Sequence, residues 1–423
     1  MCLNPITRRF VDSAGHSRLI THPCGKCLEC VQQLQNDWAN RMCDEFKQWK
    51  HAYFGTFTYG NSCIPYVDVV PSDLPDDKFR YLCDAIQNLP ISASLVKARN
   101  RNDSFSDYLT SKSIYNKLSF RVPYVSKYDV QCFIKRVRID YERKYEQPLE
   151  FKYFICSEYG PCTLRPHYHA IFFSNVCWER FAPFIYKHWH MGAVRGFHEL
   201  ELRNGTISDA CAYVAKYCVK PQEFENPYVN ACLIPRPFRL MSKGIGSVER
   251  SAIVEASKSY TGPKRITKRD SQRLGIKSYY GYSALYLDWL RIKLSRFSQD
   301  KGGQWHIVKQ PRYYTDACFP KSVHYSRQWK LQKDATYQPV TVCTSRKNCD
   351  SLLCLAYTRF MEDRYIQLCN DKFSALKAEF PTLSDSEIIH KAEIERLQNV
   401  RERYQRRLSS FVKFYGKSFL NDM

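Results

Sequence analysis

Apolar and polar positions in the middle of this chain follow the two repeats that distinguish strands from helices. Residues 53–59, 152–158, 165–173 and 194–202 are rich in aromatic and β-branched side chains, which predicts four strands. A Gly-Pro turn separates the second strand from the third, so we expect these two to form an antiparallel hairpin.

Helical spacing of apolar residues alternates with these strands. Residues 31–49, 126–145 and 178–189 recur at the spacing of one helix face, and Ser208 begins a fourth helix. The resulting order is strand, helix, hairpin, helix, strand, helix. This order predicts an α+β fold with a central antiparallel sheet and helices on one face.

The pattern also divides the chain into three regions. Residues 1–50 form an N-terminal segment with several cysteines and one helix, and residues 51–225 form the core. Prolines interrupt the periodicity at about residues 60–124, which predicts an insertion in the core. Residues 226–423 are basic and are predicted to be largely helical, with two long helices near the end.

Charge adds a partner class to this picture. The chain of 423 residues has a formal net charge of +22 and contains 15% aromatic residues. A surplus of cations suits a polyanion, and aromatic rings suit stacking on unpaired bases. Basic structural proteins share this composition, so it indicates nucleic acid but no reaction.

Cysteine usage and hydropathy indicate the compartment. The 19 cysteines are odd in number, and most stand singly in apolar segments, as expected of reduced side chains. The amino terminus lacks the apolar stretch of a signal peptide, and no apolar run approaches the roughly 20 residues that cross a bilayer. We therefore expect a reducing cytoplasm and no membrane partner.

The histidine strand carries the first candidate chemistry. His167 and His169 are two apart, so their side chains lie on one face of the strand, and the hairpin would bring Glu158 beside them. Two imidazoles and one carboxylate leave positions open for water and substrate, and they suit Mg²⁺ or Mn²⁺. His188 and His190 have the same spacing, but they follow a helix and lack a strand carboxylate.

The fourth helix carries the second part. Tyr213 and Tyr217 are four apart and share one helix face, with Lys216 and Lys220 beside them. A tyrosine hydroxyl can attack phosphorus and hold the product as a phosphotyrosine, while a lysine favours the phenolate or relays the proton. A metal that polarises a phosphate and a tyrosine that attacks it together predict DNA strand transfer. Which tyrosine attacks first is left open by the sequence.

The order of these motifs resembles that of a known family. A strand glutamate, a His-aromatic-His triplet and a downstream Tyr-x-x-Lys-Tyr helix are similar to the HUH endonucleases that initiate rolling-circle replication. More narrowly, the chain resembles the replication initiator proteins of microviruses (gokushovirus-like), which are small single-stranded DNA phages. Further segments that fit this group are residues 23–27, 35–39, 55–59, 129–138 and 238–246.

The resemblance implies an HUH nuclease core and a site- and strand-specific endonuclease. Such an enzyme nicks the phage origin, forms a 5′-phosphotyrosine link and later religates the strand. Gly244-Ile245-Gly246 lacks the third glycine of a dinucleotide fingerprint, so we expect no nucleotide cofactor. The expected partners are single-stranded and origin DNA, with a host helicase and polymerase, in the host bacterial cytoplasm. Lys135, Arg136 and Arg138, on a basic helix, are predicted to contact the DNA backbone.

The N-terminal cysteines suggest a second metal. Cys24, Cys27 and Cys30 form a C-x-x-C-x-x-C motif, and a fourth ligand from His22, Cys43 or Cys2 would complete a structural Zn²⁺ site. The competing interpretation is a tight, reduced, cysteine-rich turn. The alternative for the whole chain is a non-catalytic, zinc-containing nucleic-acid-binding or packaging protein.

Overall fold

The computed structural model describes residues 6–11, 17–25, 27–69, 120–160, 164–202, 207–217, 227–299, 305–319, 322–331, 337–347 and 352–392, with a few isolated positions elsewhere. The chain groups into two compact units. Residues 1–3 and 25–247 make up the first unit, and residues 4–24 and 248–423 make up the second. The three-part division expected from the sequence stays a prediction.

Strands and helices alternate along the described chain. The strands are β1 (Ile6–Val11), β2 (Ser17–His22), β3 (His51–Tyr59), β4 (Tyr66–Val69), β5 (Phe120–Pro123), β6 (Phe151–Tyr159), β7 (Pro166–Ser174), β8 (Gly192–Glu199), β9 (Arg239–Met241), β10 (Ser278–Tyr279), β11 (Tyr282–Ser283), β12 (Ser295–Gln299), β13 (Trp305–Lys309), β14 (Ser322–Leu331) and β15 (Tyr337–Lys347). The helices are α1 (Leu28–Phe46), α2 (Lys127–Tyr145), α3 (Trp178–His188), α4 (Ser208–Tyr217), α5 (Pro227–Asn230), α6 (Ser247–Ala256), α7 (Lys268–Leu274), α8 (Ala284–Lys293), α9 (Arg312–Cys318) and α10 (Leu352–Glu379).

A five-stranded sheet forms the centre of the first unit. Its strand order is β8-β3-β7-β6-β9, and every neighbouring pair is antiparallel. The predicted α+β class is therefore confirmed. The expected hairpin is β6–β7, in which Phe151 pairs with Ser174 and Tyr159 pairs with Pro166.

Helices cover both faces of this sheet, so the prediction of helices on one face was wrong. The reason lies in the central strands, which bury side chains at odd and even positions alike. On β7, for example, Tyr168 and Phe172 are buried on one face and Ile171 and Phe173 on the other. A sheet that is apolar on both faces must be covered on both.

Helices α1 and α4 cover the first face. Trp38 and Met42 of α1, with Cys211 and Val214 of α4, pack in one buried cluster with Phe154 and other residues of the sheet. A buried ion pair fastens α1 to β6, since Lys152 Nζ lies 2.8 Å from Glu45 Oε1. Glu45 also accepts a hydrogen bond from the backbone N–H of Gly246 at 2.7 Å. A buried carboxylate with these partners fixes the entry angle of α1.

Helices α2 and α3 cover the second face, and this side of the core is strongly aromatic. Ser126 caps α2 by accepting a hydrogen bond from the N–H of Asp129, as a residue of this type does at a helix N-terminus. Large rings from the sheet, α2, α3 and the residue after α3 fill the space; they are Tyr53, Phe57, Tyr59, Phe133, Tyr168, Phe172, Phe181 and Trp189.

The predicted insertion begins and ends in a strand pair. β4 and β5 are antiparallel neighbours, so the chain leaves and re-enters at one place. Most of residues 70–119 lie outside the described part of the chain.

The second unit has its own apolar cluster. Tyr286, Leu287 and Leu290 of α8 pack with Leu353 and Phe360 of α10 and with residues of α6, β10 and α9. The predicted helical character of the C-terminal region is confirmed. The unit also contains the hairpins β1–β2, β10–β11, β12–β13 and β14–β15. Within the described residues, no helix is long and apolar enough to cross a bilayer.

Candidate metal and tyrosine site

The β6–β7 hairpin gathers two imidazoles around one carboxylate on the first face. Register places His167 opposite Glu158 and His169 two residues further along β7. Glu158 Oε2 lies 2.9 Å from His167 Nε2 and 3.1 Å from His169 Nε2. The carboxylate and His169 are buried, and His167 is partly open to solvent.

The other nitrogen of each imidazole has its own partner. His167 Nδ1 lies 3.2 Å from the carbonyl oxygen of Arg165, and His169 Nδ1 lies 3.2 Å from Thr56 Oγ1. A carbonyl can only accept, so His167 carries its proton on Nδ1 and presents the Nε2 lone pair to Glu158. Partners of this kind fix the tautomer and ring orientation of metal-binding histidines.

These three side chains fit a divalent cation. Their ligand atoms all lie within 4.8 Å of one another, close enough for one ion to be bound by all three. Two neutral nitrogens and one anionic oxygen form a sparse ligand set, with room for water or phosphate oxygens. Among the described residues, the one other cluster of this kind is the cysteine group discussed below.

Helix α4 brings both tyrosines onto this ligand set. The ring of Tyr217 stacks on the imidazole of His169, with centroids 3.8 Å apart and planes 14° apart. The ring of Tyr213 meets the same imidazole edge-on at 5.9 Å. The Tyr217 hydroxyl donates a hydrogen bond to the Tyr213 hydroxyl at 2.8 Å. The two hydroxyls thus lie side by side next to a metal-binding geometry.

The two tyrosines differ in access to solvent. Tyr213 is 37% exposed, whereas Tyr217 is 5% exposed. Packing explains this difference: Cys211, Val214 and Ala215 bury the other side of α4 in the first-face cluster, so Tyr217 is pressed onto the sheet. Tyr213 sits one turn earlier, edge-on to Phe54 at 5.6 Å, where the helix rises towards solvent.

Two lysines were predicted to assist the tyrosines. Lys216 is half-buried at the C-terminal end of α4, next to Tyr217 in the chain. Lys220 lies outside the described residues. The proton-relay role assigned to both therefore stays a prediction.

The basic helix lies on the other face of the sheet. α2 packs in the second-face core, away from the histidines. Lys135 is exposed. Arg136 donates to the carbonyl of His188 at 3.4 Å, and Arg138 lies 4.7 Å over the ring of Phe151. These contacts give both arginines a part in packing, and the structure does not bring any of the three to the histidine site.

Sequence reasoning missed three residues on the first face. Thr56 of β3 contacts His169, and register places Arg195 of β8 opposite Thr56. On the far side, Arg239 of β9 is opposite Cys156, which in turn pairs with His169. Paired residues in a sheet project from the same face, so two arginines bracket the row that contains His169. Only the strand pairing reveals this row.

The N-terminal cysteines also converge. The sulfur atoms of Cys24, Cys27 and Cys30 lie within 4.8 Å of one another. Cys43 is 13 residues beyond Cys30 on the same helix, which at about 1.5 Å per residue is about 20 Å, so it is not the fourth ligand. Cys2 and the side chain of His22 lie outside what the structure describes.

The second His-x-His triplet has a different environment. His188 Nε2 lies 2.9 Å from Asp140 Oδ2, which Lys187 also contacts. Trp189, between the histidines, is buried in the second-face core. Within the described chain this triplet belongs to no three-ligand cluster.

Comparison with known proteins indicates a viral replication protein. The family model of the replication-associated protein ORF2 matches residues 116–222, which include the β6–β7 hairpin and α4. A relative is the replication-associated protein ORF2 of Spiroplasma virus 4, which is 24% identical over 322 residues, covering 70% of this chain and 79% of the relative. No solved structure matches the chain. The chain is thus similar to replication-associated proteins of viruses.

Proposed function

We propose that this protein is a phage replication initiator that nicks one strand of the origin and holds the 5′ end on a tyrosine. The observation that carries the proposal is the pair of tyrosine hydroxyls, 2.8 Å apart, whose rings contact the imidazole of His169. The likeness to viral replication-associated proteins over residues 116–222 supports the biological setting.

His167, His169 and Glu158 would hold Mg²⁺ or Mn²⁺. When bound, the cation supplies Lewis-acid polarisation of the scissile phosphate. The protein contributes the orientation of the three ligands, through Thr56 and the carbonyl of Arg165. Because Glu158 and His169 are buried, the ligands are held in place before DNA arrives.

The tyrosine step conserves phosphodiester bonds. A phenol oxygen attacks phosphorus, the bond from phosphorus to the 3′ oxygen breaks, and the leaving oxygen takes up a proton as a 3′ hydroxyl. The 5′ phosphate is then linked to tyrosine. The reverse attack by a 3′ hydroxyl religates the strand, so no nucleotide triphosphate is consumed. Lys216 and Lys220 are our candidates for moving the phenol proton.

Access favours Tyr213 as the first nucleophile. Its ring is 37% exposed, and its hydroxyl accepts the hydrogen bond from Tyr217, which leaves the Tyr213 proton available for transfer elsewhere. Tyr217 would act second, when the replicated origin returns. A regenerated origin cut by Tyr217 yields a 3′ hydroxyl that can attack the first phosphotyrosine and circularise the released strand. Two hydroxyls one turn apart suit such alternation.

Replication also needs functions that we assign to the host. Strand separation and synthesis from the new 3′ hydroxyl would come from a host helicase and polymerase in the bacterial cytoplasm. Lys135, exposed on the second face, is our candidate for contact with the duplex backbone that flanks the nick, with Arg136 and Arg138 on the same helix.

The test is formation of a covalent DNA–protein adduct. Full-length protein is incubated with the single-stranded phage genome in Mn²⁺, and denaturing gels followed by peptide mapping locate the bound nucleotide. We expect an adduct on the peptide that contains Tyr213, and none in EDTA. An adduct on any other residue, or none with metal present, contradicts the proposal. The second outcome would favour the non-catalytic nucleic-acid-binding or packaging role.

The cysteine group is proposed as a structural Zn²⁺ site, separate from the catalytic metal. Cys24, Cys27 and Cys30 offer three soft sulfur ligands within 4.8 Å, a donor set that suits zinc rather than Mg²⁺. Protein purified under reducing conditions should retain about one zinc per chain after dialysis, since structural sites bind tightly. Metal analysis without zinc would leave only a cysteine-rich turn.

A further inference from the structure

Half-buried and exposed aromatic rings in the second unit are lined by cationic side chains. We call this the aromatic–cationic surface; it consists of Tyr260, Tyr280, Tyr282, Tyr286, Trp289, Lys264, Arg265 and Lys293. It lies in the unit that does not contain the tyrosine site, and nothing in the proposed chemistry uses it. We propose that it binds single-stranded DNA.

The rings form a nearly parallel series. Tyr282 stacks on Tyr286 at 6.1 Å and 28°, and Tyr286 stacks on Trp289 at 6.3 Å and 20°. Tyr260 leans against Tyr286 and Trp289, at 5.1 and 5.2 Å. Tyr286 is buried beneath, whereas Tyr260, Tyr282 and Trp289 keep part of their surface in solvent. Successive bases of an unpaired strand stack on platforms of this kind.

Cations lie over these rings. The guanidinium of Arg265 is 4.7 Å from the centroid of Tyr282, Lys264 Nζ is 5.8 Å from that of Tyr286, and Lys293 Nζ is 5.7 Å from that of Trp289. All three cationic side chains are exposed. A phosphate group could therefore meet a cation while its base meets the adjacent ring.

Local charge favours a polyanion. Residues 261–293 contain eight lysines and arginines and two aspartates, a formal charge of +6 (8 − 2). The aspartates are engaged locally: Asp270 pairs with Arg273, and Asp288 pairs with Arg291. In the described part of the chain, no carboxylate forms a salt bridge with Lys268 or Arg269, which are exposed on α7. This positive field is larger than solubility of one short segment requires.

A strained residue presents one more ring. Tyr280 and Gly281 form the two-residue turn between β10 and β11, and both have positive φ, 48° and 78°. Asparagine, aspartate or glycine is usual in the first position of such a turn, because a side chain with a Cβ is unfavourable there. Tyr280 is nevertheless 57% exposed, so no packing inside the described unit compensates for its conformation. Strain retained at an exposed ring is a mark of a ligand contact.

These features select the occupant. A folded acidic protein would satisfy the cations, but it would offer no row of planar faces for the rings. Duplex DNA would offer phosphates, but its bases are already stacked. An unpaired strand provides both groups at the right alternation. That the strand is DNA rather than RNA rests on the proposed function in replication.

Photocrosslinking tests the proposal on the full-length wild-type chain. Oligo(dT) carrying 5-iodouracil is irradiated with the protein in EDTA, where no transfer is expected, and tryptic peptides are mapped. We expect crosslinks on the peptide from Ser278 to Arg291, which contains Tyr280, Tyr282 and Trp289. Crosslinks confined to peptides of residues 25–247 would overturn the proposal. Failure to form a phosphotyrosine in metal would count against the proposed function alone.

Matched variants sharpen the result. Tyr280→Ala, and separately Lys264→Ala with Arg265→Ala, should lower the crosslink yield on that peptide by about fivefold or more. The controls are Tyr365→Ala, which removes another exposed tyrosine of the same unit, and Lys258→Ala, which removes another exposed cation. Both should stay within about twofold of the wild type. Equal losses in variants and controls, or a stronger crosslink with oligo(rU) than with oligo(dT), would contradict binding of single-stranded DNA here.

Discussion

Two hydrogen-bonded tyrosine pairs lie on opposite faces of the same sheet. On the second face, the hydroxyls of Tyr59 and Tyr168 are 2.9 Å apart, and on the first face those of Tyr213 and Tyr217 are 2.8 Å apart. The functional groups and the distances are nearly the same. What differs is everything that surrounds them.

The second-face pair is enclosed and its hydrogen bonds are satisfied by the protein. Tyr59 donates to Asp129 at 2.8 Å, and the backbone N–H of Ser126 donates to Tyr168 at 2.9 Å. Burial raises the pKa of Tyr59 and of Tyr168 above the ordinary range, so both stay protonated. A phenol that is enclosed and neutral cannot reach a phosphate, and this pair serves to cap α2.

The first-face pair is open at one end and lies against a charged group. Tyr213 reaches solvent, and His169, on which Tyr217 stacks, contacts the carboxylate of Glu158. The comparison teaches that a tyrosine pair is a nucleophile candidate only where a substrate can enter and where a polar group can hold that substrate. Four predictions test whether this difference between the faces is functional.

The largest effect is expected from removing the first-face hydroxyls. Tyr213→Phe with Tyr217→Phe keeps the rings but removes both nucleophiles, so the covalent adduct should fall by more than about 10³-fold. Tyr59→Phe is the matched control on the second face and should leave adduct formation within about threefold of the wild type. Adduct yield on denaturing gels measures both. An adduct that survives in the double variant would refute the assignment.

The histidine triplets allow a similar comparison. His167→Ala with His169→Ala removes two of three metal ligands, and cleavage should drop by about 10²-fold or more. Binding of single-stranded DNA should change by less than about threefold, because affinity comes mainly from cations near phosphates. His188→Ala with His190→Ala, at the other triplet, should preserve the Mn²⁺ dependence of cleavage. Loss of metal dependence in this control would move the metal site to the other face.

Much of the first face could be predicted from the sequence because its signals are local. The spacing of His167 and His169 fixes their common side, and a short turn forces Glu158 of the neighbouring strand to meet them. The four-residue spacing of Tyr213 and Tyr217 fixes their common side on a helix. Each of these relations involves a single element or a single hairpin.

The parts that were missed depend on pairing between distant strands. β3 and β8 join β7 through more than a hundred intervening residues in one case, so neither Thr56 nor Arg195 could be placed beside His169 from periodicity. The same limitation misplaced the helices. A strand such as β7, apolar at every position from Ala170 to Phe173, is covered on both faces, whereas the element order alone suggested one.

A moderate effect is expected on stability at the second face. Tyr168→Phe leaves the buried N–H of Ser126 without its acceptor, which should lower the free energy of unfolding by about 1–3 kcal/mol. Tyr213→Phe, which removes a partly exposed hydroxyl, should cost less than about 1 kcal/mol. Urea unfolding followed by tryptophan fluorescence measures both. Equal losses would mean that the two pairs do not differ as their environments suggest.

The raised pKa of the second-face pair gives this prediction a pH dependence. Because the folded chain holds Tyr59 and Tyr168 protonated, their contribution is fully present below about pH 10, the usual pKa of tyrosine. It is lost as the pH rises further, since the unfolded chain then gains free energy by ionising. Tyr59→Phe with Tyr168→Phe should therefore show a shallower loss of stability above pH 10 than the wild type. A steeper loss would mean that these phenols ionise in the folded protein.

The smallest effect separates the cations of the two faces. Arg195 is exposed in the row of His169, whereas Lys135 is exposed on α2, which covers the other face. A single strand held at the tyrosines should contact Arg195, so Arg195→Ala should weaken binding of a single-stranded oligonucleotide a few-fold and reduce the salt slope by about 0.7, the value for one phosphate contact. Lys135→Ala should leave that slope unchanged and affect only DNA with a flanking duplex, where a backbone can pass round to α2. If Lys135→Ala reduces the single-strand slope and Arg195→Ala does not, the strand follows the second face, and the division between a reactive and a structural face is wrong.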